Sequence, residues 1–266
     1  QAYEVAQFPI NNHRSVIRQG FARILMLKIR GSTMRNLILM FLVIPVMVVA
    51  QELPAPNSIY VSTQCYMNDG YSMEDVVKQF RESNIAGPQR VFVRQPISSL
   101  SAAENQFIRI VVWEDMEAWA TNVSLGAPTD TYSCNNAQRR FYTNRRVGTN
   151  DSAYEDGVSL VTTMRCELVK GTTISDTYSN LNENQVAREE AGDTTILQFS
   201  HLLLGPNPDG EMRSSIIIRR VGDTEAGLAR SLDMMWENNL SIGTPINAPA
   251  KSCENPTLWR SYLVSN

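Results

Sequence analysis

The feature that most constrains the fold is an internal repeat. Trp119-Ala-Thr-Asn-Val-Ser-Leu-Gly-Ala-Pro128 and Trp236-Glu-Asn-Asn-Leu-Ser-Ile-Gly-Thr-Pro245 agree at Trp, Asn, Ser, Gly and Pro, and two further positions exchange one apolar side chain for another. Upstream, Cys65, Gly70, Ser72 and Asp75 align with Cys166, Gly171, Thr173 and Asp176. Downstream, Cys134 aligns with Cys253. The separation grows from 101 residues at the first cysteines to 119 at the last pair, so the second copy has gained residues mainly in its middle. The chain reads as two related units, 57–150 and 158–266.

What precedes them is of a different kind. Met34-Arg-Asn leads into an apolar run from Leu37 to Ala50, with Val48 and Ala50 in the small-residue positions of a cleavage site. A basic start, a short apolar run and small residues at its end make 34–50 a secretory signal peptide cut after Ala50. The competing reading is a membrane anchor, but a span takes about 20 apolar residues, and this run is shorter and carries Pro45. Membrane contact is therefore expected only through the signal peptide before cleavage, with the protein periplasmic or secreted. Residues 1–33 are set aside as upstream translation, with Met26 or Met34 as the start. The chain holds 24 basic and 27 acidic residues. Residues 1–50 take six and one of these, which leaves 18 and 26 and a net charge of −8 over 51–266. Such a surface does not displace counterions from a phosphate backbone, so nucleic acid is excluded as a partner.

Within each unit the periodicity gives the same order of elements. In the first, Ile59–Met67 alternates as a strand and Ser72 caps a helix with Asp75 in its first turn. Strands Val91–Gln95 and Gln106–Trp113 follow, then a helix from about Asp115 and a strand near Arg139–Thr143. The second repeats this with strand Ser159–Leu168, a helix from Thr173, strands Thr195–Leu204 and Ser215–Val221, helix Thr224–Asn238 and strand Leu258–Leu263. The Gly-Pro-Asn-Pro-Asp-Gly run 205–210 is a hairpin turn by composition.

Two βαββαβ units, each of the ferredoxin-like order, with Trp113-Glu-Asp-Met-Glu-Ala-Trp119 where a third strand passes into the second helix, resemble the dimeric α+β barrel superfamily. The resemblance implies an α+β fold in which two antiparallel sheets face each other as a barrel, here within one chain. It spans 57–266 as topology and identifies no particular family. Members include cofactor-free monooxygenases, haem-degrading enzymes, lactone isomerases and proteins without assigned chemistry, so the fold does not fix the function.

The repeat and the expected topology both pair Cys65 with Cys134 and Cys166 with Cys253, because the end of a first strand lies beside the start of a last strand. Four cysteines behind a signal peptide point to two disulfides in an oxidising compartment. A metal site needs close ligand pairs such as Cys-x-x-Cys, and the sequence has none. No metal and no cofactor is expected.

Strand parity then sorts candidate site residues. Tyr60, Ser62, Gln64 and Tyr66 share the face opposite Cys65, and Val161, Thr163, Arg165 and Glu167 share the face opposite Cys166. In the third strand Ile108, Ile110 and Val112 are assigned to the helices, which turns Phe107, Arg109 and Trp113 toward the lumen, with Arg219 as the counterpart of Arg109. Gln64, Tyr66, Arg94, Arg109, Trp113, Arg165, Glu167 and Arg219 are the candidate ligand-binding residues. The arginines would converge on an anion through bidentate guanidinium contacts. The plainer alternative pairs each with a surface acid. His201, the single histidine of 51–266, is the candidate catalytic base; against this, no partner motif accompanies it, and a hydrogen-bonded structural histidine is the favoured reading. The duplicated Trp phrase reads as a structural corner.

These features favour a secreted barrel that binds a small organic ligand between its sheets, an anionic one where the arginines converge. A cofactor-free monooxygenase or isomerase with His201 as proton acceptor is the alternative, and a non-catalytic assembly protein is a third. The oligomeric state is left open.

Overall fold

The computed structural model describes residues 53–265, apart from 84, 100–101, 123–128, 152–156, 207–214 and 238–249 and the side chains of 236, 250 and 251. The signal-peptide segment and most of both Trp phrases lie outside the described residues. The elements run β1 (Ser58–Met67), α1 (Met73–Glu82), β2 (Arg90–Ser98), β3 (Gln106–Trp113), α2 (Met116–Asn122), β4 (Tyr132–Cys134) and β5 (Arg140–Val147). After these come β6 (Val158–Leu168), α3 (Ile174–Glu190), β7 (Ile196–Leu204), β8 (Ser215–Val221), α4 (Glu225–Glu237), β9 (Ala250–Cys253) and β10 (Thr257–Ser265).

Hydrogen bonding joins the strands in the order β2-β3-β1-β5-β7-β8-β6-β10, and β10 returns to β2. Every pairing is antiparallel. The result is one closed eight-stranded barrel with the helices outside, an α+β architecture. The seams β5–β7 and β10–β2, where Asn144 opposes Ser200 and Arg260 opposes Gln95, close the barrel expected from the sequence. Closure removes the edges that two open sheets would leave unpaired.

The helices sit where the local sequence starts them. The Ser72 hydroxyl accepts from the Asp75 amide at 3.3 Å while the Asp75 carboxylate accepts from the Ser72 amide at 2.8 Å, a capping box that satisfies two otherwise orphaned donors. Thr173 and Asp176 repeat it at 3.0 and 3.1 Å. The turn before each helix places Gly70 and Gly171 at φ of +84° and +90°, a conformation that other L-residues adopt only at a cost.

The outer core lies between helices and barrel. Val76 and Phe80 of α1 pack on Val91, Val93 and Phe107. In the second half Tyr178 and Leu181 of α3 pack on Leu197, Phe199, Ile216 and Ile218. Each layer encloses one disulfide, Cys65–Cys134 and Cys166–Cys253, which pin the short strands β4 and β9 to the ends of β1 and β6. The bridges span 69 and 87 residues, and on the chain-entropy view each restricts the unfolded state by about 4–5 kcal/mol.

The third-strand parity differs from the sequence expectation. Phe107, Val111 and Trp113 pack outward under the helices, while Ile108, Ile110 and Val112 face the lumen. Direct cross-strand partners share a face, and Phe107 opposes Cys65 while Trp113 opposes Ile59. Both faces of β3 are apolar, so hydrophobicity alone does not tell helix side from lumen side.

One buried polar network has no counterpart among the described residues of the first half. Asp193, 3% exposed, accepts from Arg188 at 2.7 Å, Arg220 at 2.9 Å, the Thr195 hydroxyl at 2.7 Å and Ser231 at 3.1 Å, tying α3, β7, β8 and α4 together. Burial lowers Arg220 to about 10, with Arg188 adding to the shift and Asp193 opposing it. Burial alone would raise the Asp193 carboxyl, but Arg220, Thr195 and Arg188 outweigh it and hold it below the ordinary carboxylate value. A depressed carboxylate adds stability that is present above its unfolded value, about 3.9, and lost as pH falls through the folded one. Asp193→Asn, which strands two buried guanidiniums, is expected to cost about 3 kcal/mol at pH 7 in urea unfolding. That difference should shrink as the pH is taken below about 4; a difference constant from pH 7 to pH 2 would contradict the assignment.

Candidate functional site

The lumen side of the barrel is mixed in character. Tyr60, Phe92, Ile110, Tyr142 and Leu202 form an inner apolar cluster, yet the same faces carry Arg94 from β2 and Arg219 from β8, 4% and 3% exposed. Strand parity brings them there. Arg94 shares a face with Phe92, and Arg219 opposes Gln198 on β7 and Thr163 on β6.

Their contacts are to neutral groups. Arg94 donates through Nη1 to the Tyr60 hydroxyl at 3.0 Å and through Nε to Ser261 Oγ at 3.3 Å. The Arg219 guanidinium lies over the Tyr60 ring, 4.1 Å from its centroid, and 5.7 Å from that of Tyr142. It donates to Ser200 Oγ, whose own hydroxyl donates to Asn144 Oδ1 at 2.9 Å. Ion pairs in the described residues involve Arg146, Arg188, Arg220 and Arg260, and neither Arg94 nor Arg219 is among them. Burial pushes the Arg219 guanidinium down, Tyr60 opposes this, and Arg94 adds to it through like-charge repulsion. Burial pushes the Tyr142 phenol up, with Arg219 opposing. Among the described residues these two buried positive charges meet only cation–π and neutral hydrogen-bond contacts, which orient a guanidinium without neutralising it.

A cavity of about 440 Å³ opens onto this cluster from the end of the barrel where β1, β2 and β7 begin. Tyr60, Phe92, Val112, Ile196 and Val221 give it an apolar patch, and the rest of its wall is polar: Arg90, Arg94 and Arg146 with Asn57, Ser58, Gln89, Asn144 and Gln198. Among the described residues none that lines it is acidic. A pocket of this size that sets an aromatic and aliphatic patch beside fixed polar groups can hold a small organic molecule with a charged or polar end.

No family model matches the sequence, and no curated relative does. Among solved structures the chain is similar to an anthrone oxidase-like protein, at 11% identity and a TM-score of 0.45, over 82% of this chain and 96% of that one. It is also similar to a candidate monooxygenase from Lactobacillus acidophilus NCFM, at 8% identity and 0.43, over 80% and 95%. A candidate monooxygenase from Fusobacterium nucleatum subsp. nucleatum ATCC 25586 matches at 7% and 0.44, over 80% and 94%. The chain forms a closed, eight-stranded antiparallel α+β barrel. At these identities and scores the neighbours carry no argument about chemistry.

This α+β barrel gathers only part of the set expected from sequence. Arg94 enters the cavity and Arg219 backs it through the Tyr60 ring. Gln64, Tyr66, Arg165 and Glu167 lie on the lumen face, but at the disulfide end and outside the cavity; Gln64 donates to the Tyr66 hydroxyl and Arg165 to Ser215 Oγ. Arg109 and Trp113 lie on the outer face. Arg109 donates to Asn136 Oδ1 at 3.0 Å, and Trp113 packs with Ile59, Val61 and Trp119. By register the first-half counterpart of Arg219 is Ile110, one place from the expected Arg109. His201 opposes Ile216 and Thr143, which puts it on the outer face, away from the cavity. Sequence parity had placed Tyr60 in the lumen without marking it as a site residue, and Tyr142, Asn144, Ser200 and Ser261 went unmarked. The signal for Ser200 and Ser261 was a small polar residue in a largely apolar strand; Asn144, in the polar strand Arg140–Val147, carried none.

The charge argument is testable without any ligand. Replacing an unbalanced buried cation by an apolar side chain of similar length is neutral or stabilising. Arg219→Met is expected to leave the unfolding free energy unchanged or to raise it by about 1 kcal/mol in denaturant titration. A loss above about 2 kcal/mol would show that the charge is compensated within the fold.

Proposed function

We propose that this is an exported α+β barrel that holds a small organic anion in its lumen, against Arg94 and in the field of Arg219. The observation that carries the reading is the pair of buried guanidiniums that, among the described residues, face each other with no carboxylate. A bound carboxylate or ionised hydroxyl supplies the missing charge, and the low dielectric strengthens that contact. The apolar patch with the Tyr60 and Phe92 rings favours a planar organic body over a bare inorganic ion. Export is supported by the 34–50 segment and by two disulfides, which persist in oxidising compartments. Among the described residues no helix is long and apolar enough to cross a membrane. The strand orders β5-β1-β3-β2 and β10-β6-β8-β7 support reading 57–150 and 158–266 as duplicated ferredoxin-like units.

A second reading, a cofactor-free monooxygenase or isomerase, uses the same site. Paired guanidiniums stabilise an enolate or phenolate as it forms, the electrostatic requirement of such chemistry. Its proton acceptor would be a lumen group, because His201 lies on the outer face. An assembly role with a filled lumen is disfavoured by the cavity itself.

The test is calorimetric titration of the protein with benzoate, alongside Arg94→Gln. The expected result is stoichiometric binding that weakens at least about tenfold in the variant, the usual scale for a lost charge-assisted hydrogen bond. Equal binding by both forms, or none by either, would refute the site. Dioxygen uptake with a bound phenol would favour the enzymatic reading.

A further inference from the structure

Gln198 lines the cavity from β7, with Arg146 of β5 and Arg219 of β8 as its direct cross-strand neighbours. Neither neighbour serves its side-chain oxygen. Arg219 donates to Ser200, and Arg146 stands 4.0 Å from Asp151 at the surface. Gln198 Oε1 is out of solvent and has no hydrogen-bond partner among the described residues. A buried acceptor left unmatched costs about 1–3 kcal/mol, and native proteins rarely keep one without use. The cavity therefore presents two demands of opposite sign: a guanidinium that wants an acceptor with negative charge, and an amide oxygen that wants a donor.

We infer that the occupant is a donor-bearing organic acid: its anionic group rests on Arg94, its apolar body lies between the Tyr60 and Phe92 rings and the Val112, Ile196 and Val221 wall, and a hydroxyl or amine donates to Gln198 Oε1. Gln198 is then the residue that sets specificity. This rests on the anion reading and sharpens it. A site built to hydrogen-bond a hydroxyl rejects the analogue that lacks it far more strongly than an apolar pocket rejects a missing methylene, because the buried acceptor is left bare.

The probes are benzoate, 3-hydroxybenzoate, 4-hydroxybenzoate and their methyl ethers, titrated into the whole protein and into Gln198→Met, which keeps the side-chain volume and removes the acceptor. One hydroxybenzoate is expected to bind at least about tenfold tighter than benzoate. The methyl ether, which only accepts, should show no gain. In Gln198→Met the hydroxyl advantage over benzoate should vanish, and a cooperative urea unfolding transition shows that the variant is folded. If benzoate binds and neither hydroxyl adds affinity, the donor inference falls and the anion site stands. If the methyl ether gains and the hydroxyl does not, the amide is turned to present Nε2, and the occupant carries an acceptor instead. If no acid binds, the anion reading falls, and this inference with it.

Discussion

Arg94 and Arg219 carry their charges into a sheet that has no edge, and most of the molecule's other choices follow from where that sheet closes. Seams at β5–β7 and β10–β2 make the inner face continuous, so a side chain there meets other strands in place of bulk water. In that setting a guanidinium needs either an acid or a ligand. Among the described residues the cluster offers phenol rings, hydroxyls and an amide, which orient the two cations without supplying a negative charge. Stability given up at such a site is usual where a binding function has to be preorganised.

The two halves share a backbone plan and differ in what they put on it. By register, Arg94 in the first half corresponds to Ser200 in the second, and Arg219 in the second to Ile110 in the first. Tyr60 corresponds to Val161, and Asn144 to Ser261. A strictly repeated sequence would have produced either two arginine clusters or none. The divergence instead gives one cluster, assembled from both halves around the barrel axis. The outer layer diverges in the same way: Val111 packs with apolar neighbours beneath the first half's helices, whereas Arg220, its counterpart, is drawn into the Asp193 network. Disulfides and capping boxes, which serve the scaffold, stayed paired.

That contrast explains what could be read from the chain in advance. The order of elements, the caps at Ser72 and Thr173, and the cysteine pairing were all legible, because each rests on local chemistry or on the repeat itself. The lumen face of β1 was legible from alternation, since Tyr60, Ser62, Gln64 and Tyr66 contrast with Ile59, Val61 and Cys65. On β3 the contrast fails: Phe107 and Trp113 are as apolar as Ile108 and Ile110, and the face was set by pairing register, which the strand's own residues do not encode. That inversion misplaced Arg109 and Trp113. The same limit applies to His201, whose chemistry invites a catalytic role but whose position beside Ile216 keeps it outside the barrel. The Arg94–Arg219 encounter joins strands 125 residues apart, and only the closed topology brings the two together.

The central claim is that the unbalanced charge in the lumen is where an organic anion sits. The most direct measurement is a crystal structure of the protein grown with 4-bromobenzoate, with the bromine located by its anomalous signal. The account predicts a single strong bromine peak inside the barrel, with the carboxylate within hydrogen-bonding distance of Arg94 and the ring against Tyr60 or Phe92. A lumen filled by the chain's own acidic side chain, or bromine found only on the outer surface, would contradict it.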